Sequence, residues 1–289
     1  MRTSVALEVE DTDALIAIDF LLDSVNLSKS RLKKLMNAGG VWLRRDEAPR
    51  YRLRRAMSDL RVGDVLEVYY DEALLDQPLR PCQCLHDQDI YSVWQKPIGA
   101  FAAGSDWGDH NSLERQAELH FHKQRPVWLC NRVPAAARGL VVVSHHRRAS
   151  AGLQTLWDQG DMQTRWRLLM HGDQGPRLRS ADGSASPLMA EAAQAAGLPA
   201  LVLHRLEYQA ATRTTRVEIE GAGLSPEQLL RWAEVLGVSL PAAGELMTAT
   251  ELLAPPEEAD ESPLELVQLD LIGLQFECPF TGEAHAFRL

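Results

Sequence analysis

The sequence predicts an α+β protein built from two domains of different charge. At 289 residues the chain is longer than a single hydrophobic core usually supports. Dense β-branched runs alternate with amphipathic helical segments along most of its length. The net charge of −10 is unevenly distributed, with a basic stretch near the N terminus and an acidic remainder. We expect a basic domain over residues 1–75, a linker over 76–89 and a larger domain over 90–289.

Composition favours a folded protein in a reducing cytoplasm. The chain is 45% apolar and 24% charged, without the apolar run of about 18 residues that a membrane span requires. The first 20 residues interleave acids with apolar residues, which is unlike a secretory leader. The four cysteines form no CxxC pair. Because two thiols one residue apart seldom close a zinc tetrahedron, the Cys82-x-Cys84-x-His86 run predicts no metal site.

The basic stretch has the pattern of a helix followed by strands. Residues 27–61 hold eleven basic and three acidic side chains, a local balance of +8. Ser28 is a candidate N-cap and Gly39 a candidate stop for a helix with its apolar residues on one face and its cations on the other. Three strands are expected after it, at 41–43, 51–53 and 65–70.

The larger domain alternates strand and helix patterns. Its predicted elements are strands at 90–94, 127–129, 140–143, 202–208, 214–220 and 269–276, and helices at 112–121, 148–158 and 226–236. Residues 173–188 are rich in glycine, proline and serine and predict an exposed loop. A second loop, Ala254–Pro263, is acidic and makes the C-terminal region a candidate docking surface for a protein partner.

Two stretches in the basic domain carry a family resemblance. SKSRLKKLMNAGGVWL and LRVGDVLEV resemble the small alpha-L RNA-binding domain named after a ribosomal small-subunit protein. In that family the cationic helix and its adjacent loops lie along the RNA backbone. The resemblance therefore implies phosphate contacts for five side chains, Lys29, Arg31, Lys33, Lys34 and Arg44.

The larger domain resembles the RluA-type pseudouridine synthases across residues 88–289. The resemblance rests on Lys96-Pro97-x-Gly99, on CNRVPAAARGLVVV at residues 130–143 and on FECPFTGE at residues 276–283. It implies a mixed, mostly antiparallel sheet with flanking helices and a cleft for a flipped uridine, with no metal or organic cofactor. The implied partner is structured RNA, ribosomal or transfer RNA, with further contacts from Lys96, Arg132, Arg138 and Arg165.

The three catalytic motifs of that family are degenerate in this chain. With Arg132 and Gly139 as anchors, the catalytic Asp falls on Pro134, which has neither an acid nor an amide proton. The family's Tyr falls on Trp166, which could stack on a base but cannot exchange a proton as a phenol does. The third motif, which holds an arginine, falls on residues 223–229 without one. Joint loss at the three positions predicts an RNA-binding protein with impaired or absent isomerase activity.

Two alternatives remain open from the sequence. The chain could be an active uridine isomerase that uses another acid, or a protein-interaction module whose RNA affinity is incidental. His204-Arg205-Leu206-Glu207 imitates the lost motif, but no Thr/Ser-Gly follows it, so Glu207 is interpreted as an outward-facing strand residue. Asp106 and Asp109 are acids of a predicted loop, for which turn formation is the default role and acid–base chemistry the alternative.

Overall fold

The computed structural model describes residues 1–240 and 269–289, which form two compact units. Unit 1 consists of residues 1–79 and 103–116, and unit 2 takes the other described residues. The segment 103–116 thus clusters with the N-terminal stretch, although the sequence placed it in the larger domain. The predicted acidic loop Ala254–Pro263 lies outside the described residues.

Unit 1 is a four-stranded antiparallel sheet with helices on one side. The sheet has the strand order β1-β4-β2-β3. Its elements are β1 (Arg2–Glu8), α1 (Ala17–Ser24), α2 (Lys29–Ala38), β2 (Val41–Arg44), β3 (Tyr51–Arg52), β4 (Val65–Asp71) and α3 (Glu72–Leu75). The three predicted strands of this region are confirmed, whereas β1 and α1 were not predicted from the sequence.

Helix α2 has the predicted caps and the predicted apolar face. The Ser28 hydroxyl accepts the Arg31 backbone amide at 3.3 Å, and Gly39 ends the helix with φ at 84°, a left-handed conformation that glycine adopts without strain. Leu32, Leu35 and Met36 are fully buried in the core of the unit. Burial of this stripe leaves the cationic side of α2 facing outward.

Unit 2 is built on a nine-stranded mixed sheet with the order β10-β11-β9-β12-β8-β6-β5, to which β13 adds on β12 and β7 adds on β8. Within the described residues every strand pair is antiparallel except β12 with β8. The predicted α+β class with a mostly antiparallel sheet is confirmed. The strands are β5 (Gln83–Asp87), β6 (Tyr91–Lys96), β7 (Trp128–Leu129), β8 (Arg138–Ser144), β9 (Gln163–His171), β10 (Val202–Gln209), β11 (Thr214–Ala222), β12 (Leu269–Glu277) and β13 (Ala284–Arg288).

Five helices complete the described chain: α4 (Leu113–His120), α5 (Arg147–Asp158), α6 (Gly175–Leu178), α7 (Pro187–Ala195) and α8 (Pro226–Val235). Helices α6 and α7 occupy part of the stretch predicted as a loop. Pro176 and Pro187 lie in the first turns of these helices, where a backbone amide has no partner within the helix and its absence costs nothing. The two prolines that indicated a loop therefore mark the beginnings of helices. Strand β5 lies within the predicted linker 76–89.

The two faces of the unit 2 sheet differ in chemistry. Along β9, Thr164, Trp166 and Leu168 are buried, and the alternate residues Arg165 and Arg167 project from the opposite face. Helices α7 and α8 also contribute buried side chains, and the Trp232 indole of α8 donates to the Met189 carbonyl of α7 at 3.4 Å. The opposite face is therefore the polar one.

Candidate functional site

The loop between β7 and β8 holds Pro134, where the sequence resemblance leads us to expect an aspartate. Asn131 of this loop is buried. Its amide donates to the Leu140 carbonyl at 3.1 Å and its carbonyl accepts the Val142 amide at 2.8 Å. Pro134 is exposed and accepts the Ala137 amide in a turn at 3.0 Å. The Asn131 side chain and a backbone turn hold the loop, and the side chains of Arg132 and Pro134 are exposed to solvent.

Lys96 is buried and bonds the Ala137 carbonyl of this loop. The prediction that Lys96 contacts RNA is therefore wrong. The side chain is fully buried, and its ammonium donates to the carbonyls of Pro97 at 3.0 Å, Ala100 at 2.8 Å and Ala137 at 2.8 Å. Burial lowers the pKa of Lys96 to about 8, which leaves the group protonated at pH 7. A lysine whose three protons are used in this way cannot reach a phosphate.

Trp166 is a core residue and cannot stack on a base. The side chain is fully buried, and its indole donates to the Leu224 carbonyl at 3.1 Å. The Leu224 amide in turn donates to the Thr164 hydroxyl at 3.2 Å. Ser225, next in the chain, caps α8 through a reciprocal pair of bonds with Gln228. Trp166 and Thr164 of β9 therefore pack against the residues that lead into α8.

An ion-paired row crosses the polar face of the sheet. Asp270 of β12 lies opposite Arg138 of β8 and opposite Arg167 of β9, which in turn lies opposite Glu218 of β11. The N–O distances are 2.8 Å for Arg138 with Asp270, 3.9 Å for Arg167 with Asp270 and 2.9 Å for Arg167 with Glu218. Asp270 is only 2% exposed. Because each guanidinium faces a carboxylate, the row carries little free positive charge.

A second row of ionisable side chains lies on the same face, two residues along β9 from Arg167. Arg165 donates to Glu220 at 2.9 Å, and the His204 ring lies 3.1 Å from the same carboxylate. Arg165 and Arg138 were both predicted as RNA contacts, and both form ion pairs in the structure. Their role in RNA binding stays a prediction.

Glu207 lies at the edge of the sheet, as an outward-facing strand residue. Its carboxylate is 2.5 Å from Arg205, and four strand steps separate its strand β10 from β8. At about 4.8 Å per step this is roughly 19 Å. Glu207 therefore cannot act on a substrate held at the loop before β8.

The predicted phosphate contacts of unit 1 fall into two groups. Arg31 makes a bidentate pair with Asp76 at 2.6 Å, and Lys34 reaches the same carboxylate at 2.6 Å; Lys29 lies 3.8 Å from Asp19. The other group is exposed and forms no ion pair with any described residue. It consists of Lys33 and Arg44. Arg55 and Arg61, which are not among the predicted contacts, are likewise exposed and form no ion pair with any described residue.

This chain is similar to solved structures but matches no family model and no curated protein. Among the solved structures that are similar to it, three are named as pseudouridylate synthases or as proteins with that domain. Human RNA Pseudouridylate Synthase Domain Containing 4 is 16% identical over 71% of this chain and 87% of its own, with a TM-score of 0.44. Human RNA Pseudouridylate Synthase Domain Containing 1 is 11% identical over 72% and 83%, with a TM-score of 0.45. A pseudouridylate synthase crystal structure is 13% identical over 78% and 85%, with a TM-score of 0.34. At these TM-scores no residue role is carried over from them.

Among the described residues, no helix is long and apolar enough to cross a membrane. The four cysteines are free thiols. Burial raises the pKa of Cys82 to about 11 and that of Cys130 to about 12, so both thiols are protonated at neutral pH.

Proposed function

We propose that this chain binds structured RNA, ribosomal or transfer RNA, through unit 1, and that it does not convert uridine to pseudouridine. The proposal includes the finer assignment of the chain as an RluA-type pseudouridine synthase relative with an alpha-L domain and degenerate catalytic motifs. We also propose the cytoplasm as its compartment, which the four free thiols support.

RNA binding is supported by the cations of unit 1 that have no acidic partner. Lys33 lies on the outer side of α2, Arg44 ends β2, and Arg55 and Arg61 lie in the chain that leads into β4. All four are exposed. Cations that are not already neutralised can displace counterions from an RNA backbone, whereas the ion-paired Arg31 must first give up Asp76.

The hydrogen bond between the Trp166 indole and the Leu224 carbonyl supports the proposal that the chain lacks uridine isomerase activity. Isomerisation requires a carboxylate at the anomeric carbon or the base, and the family's position for it holds the exposed Pro134. Two further family positions, which would support that acid, are joined in the core by the indole hydrogen bond to the Leu224 carbonyl at 3.1 Å. Restoring an acid at residue 134 alone would leave it without either partner.

One observation favours the alternative of an active isomerase. Asp270 is an acid bracketed by two arginines on the polar face of the sheet, beside the strand that follows the Pro134 loop. Its exposure of 2% and its pairing with Arg138 argue against a nucleophile that must reach a sugar carbon. Tritium release from labelled RNA, measured for the unchanged chain and for Asp270→Asn, separates the two cases, because the alternative requires release by the unchanged chain that is lost in the variant.

The experiment for RNA binding uses the full chain and cellular RNA. Crosslinking and sequencing should enrich a structured transcript, and Lys33→Ala with Arg44→Ala should weaken binding of that transcript and flatten its salt dependence. Lys29→Ala with Lys34→Ala is the matched control, since these lysines already face Asp19 and Asp76. The proposal fails if no transcript is enriched. That result would favour a protein-interaction module, docked through the acidic residues between 241 and 268.

A further inference from the structure

Unit 1 has an aromatic and arginine-rich surface on the side of its sheet away from the helices. Residues 50–54 place Arg50, Arg52 and Arg54 on one side of an extended segment. The guanidiniums of Arg50 and Arg52 lie 4.6 and 4.2 Å from the ring centre of Trp42 on the neighbouring strand. Tyr69 of β4 extends this surface and donates to Glu67 at 3.0 Å. We call Trp42, Tyr69, Arg50, Arg52 and Arg54 the arginine platform.

An acidic segment of the same unit, residues 104–110, covers this platform; we call it the strap. Asp106 reaches Arg50 at 2.7 Å, and Asp109 reaches Arg52 at 3.1 Å and also pairs with Arg54. The backbone of the strap takes part as well, because the Asp106 carbonyl accepts the Trp42 indole at 3.0 Å.

Between the two carboxylates, the Trp107 ring meets Tyr69 edge-on at 5.5 Å between ring centres. The Arg2 guanidinium lies over the same indole, 4.2 Å from its ring centre. The strap therefore offers the platform an anion, an aromatic ring and a second anion in succession. A short single-stranded nucleic acid offers the same sequence of groups as phosphate, base and phosphate.

The strap is docked with buried polar atoms left unsatisfied. One carboxylate oxygen of Asp109 and both ring nitrogens of His110 are buried without a hydrogen bond to any described residue. Burial also lowers the pKa of His110 and so favours the neutral ring. The ring therefore does not gain the positive charge that would pair with the Asp109 carboxylate. Buried polar atoms without partners cost free energy, so the docked strap is held less tightly than its ion pairs suggest.

We infer that the arginine platform is a second RNA-binding surface, specific for single-stranded RNA, and that the strap occupies it as an internal competitor. Single-stranded RNA displaces the strap by supplying phosphates to Arg50, Arg52 and Arg54 and bases to Trp42 and Tyr69. The inference rests on the proposed function, because it assumes that unit 1 binds RNA. It adds a surface distinct from the cations Lys33, Arg44, Arg55 and Arg61.

The first experiment follows amide hydrogen exchange in the full chain with a 12-nucleotide oligouridylate as the probe. The Asp109 amide donates to the Ala38 carbonyl at 2.8 Å, and Ser105 and Gly108 bond each other through their backbones. These amides should exchange faster when the oligonucleotide is bound, while those of helix α1 stay unchanged. If the oligonucleotide binds and the amides of residues 105–109 stay as protected as before, the inference is overturned and RNA binding by unit 1 stands.

The second experiment compares Asp106→Asn with Glu47→Gln. Both changes remove one negative charge from unit 1, but Glu47 lies in an exposed turn and pairs with no described cation. Asp106→Asn should strengthen oligouridylate binding about fivefold more than Glu47→Gln does, because it shifts the strap toward release. Adding Asp109→Asn should raise the slope of log affinity against log salt by about 2, because the phosphates then no longer have to displace two strap carboxylates from these arginines.

The outcomes separate the two proposals. If Asp106→Asn and Glu47→Gln change the affinity for oligouridylate equally, the loss of one negative charge explains both effects, and the inference is overturned. Binding by the Asp106→Asn variant without binding by the unchanged chain supports the inference in its strongest form. Failure of both proteins to bind the oligonucleotide or any cellular transcript overturns the inference together with the proposed function. A thermal unfolding profile of each variant shows that unit 1 remains folded.

Discussion

Replacing Trp166 by phenylalanine distinguishes a core residue from a base-stacking residue. The change removes the indole bond to the Leu224 carbonyl, which is 3.1 Å long and buried, at about 1 kcal/mol. It also leaves roughly 40 Å³ of space, worth about 1 kcal/mol at ~24 cal/mol per Å³. We therefore expect Trp166→Phe to lower the free energy of unfolding by about 2 kcal/mol, with RNA affinity unchanged.

The assay is urea unfolding followed by circular dichroism, paired with RNA binding at fixed salt. Trp128→Phe is the matched control, because Trp128 is 36% exposed on the two-residue strand β7; it should cost less than about 0.5 kcal/mol. The reasoning is refuted if Trp166→Phe leaves the urea midpoint unchanged and weakens RNA binding, which is the signature of a stacking residue.

Three further predictions concern Lys96, Asp64 and Pro134. Lys96→Met leaves three carbonyls without their donor and should lower the free energy of unfolding by about 3 kcal/mol without a change in RNA affinity; a loss of RNA affinity at unchanged stability contradicts the assignment. Hydrogen bonding from Arg45 lowers the pKa of Asp64 below its usual 3.8, so the folded state binds fewer protons than the unfolded state near that pH. This stability is present above pH ~4 and is lost as the pH falls. Urea midpoints at pH 6 and pH 3 should therefore differ less in Asp64→Asn than in the unchanged chain, and equal differences would contradict the pairing. Pro134→Asp alone should give no tritium release from labelled RNA, and a gain of activity would show that the other two motif positions matter less than proposed.

The secondary structure that was predicted correctly had a local physical signal. Ser28 and Gly39 marked both ends of α2, and the run of valines at 141–143 marked β8, because caps and β-branched runs act within a few residues. Helices α6 and α7 were missed because their prolines are as typical of a helix's first turn as of a loop.

The candidate site was harder to predict, because its side chains depend on partners far away in the sequence. Arg31 is paired with Asp76, 45 residues later, and Arg138 with Asp270, 132 residues later. Lys96 was assigned to RNA from its motif, and only the fold shows that three carbonyls surround it. A basic residue in a charge run carries no sign of its partner, so the sequence overstated the number of free cations.

The central claim is that the chain keeps an RNA-binding surface but lacks uridine isomerisation, and pseudouridine mapping tests it most directly. Total RNA from cells with and without the gene should show the same set of pseudouridines, while crosslinking recovers RNA on the unchanged chain. A pseudouridine that disappears on deletion, returns with the unchanged chain and does not return with Asp270→Asn would contradict the account and identify the missing acid.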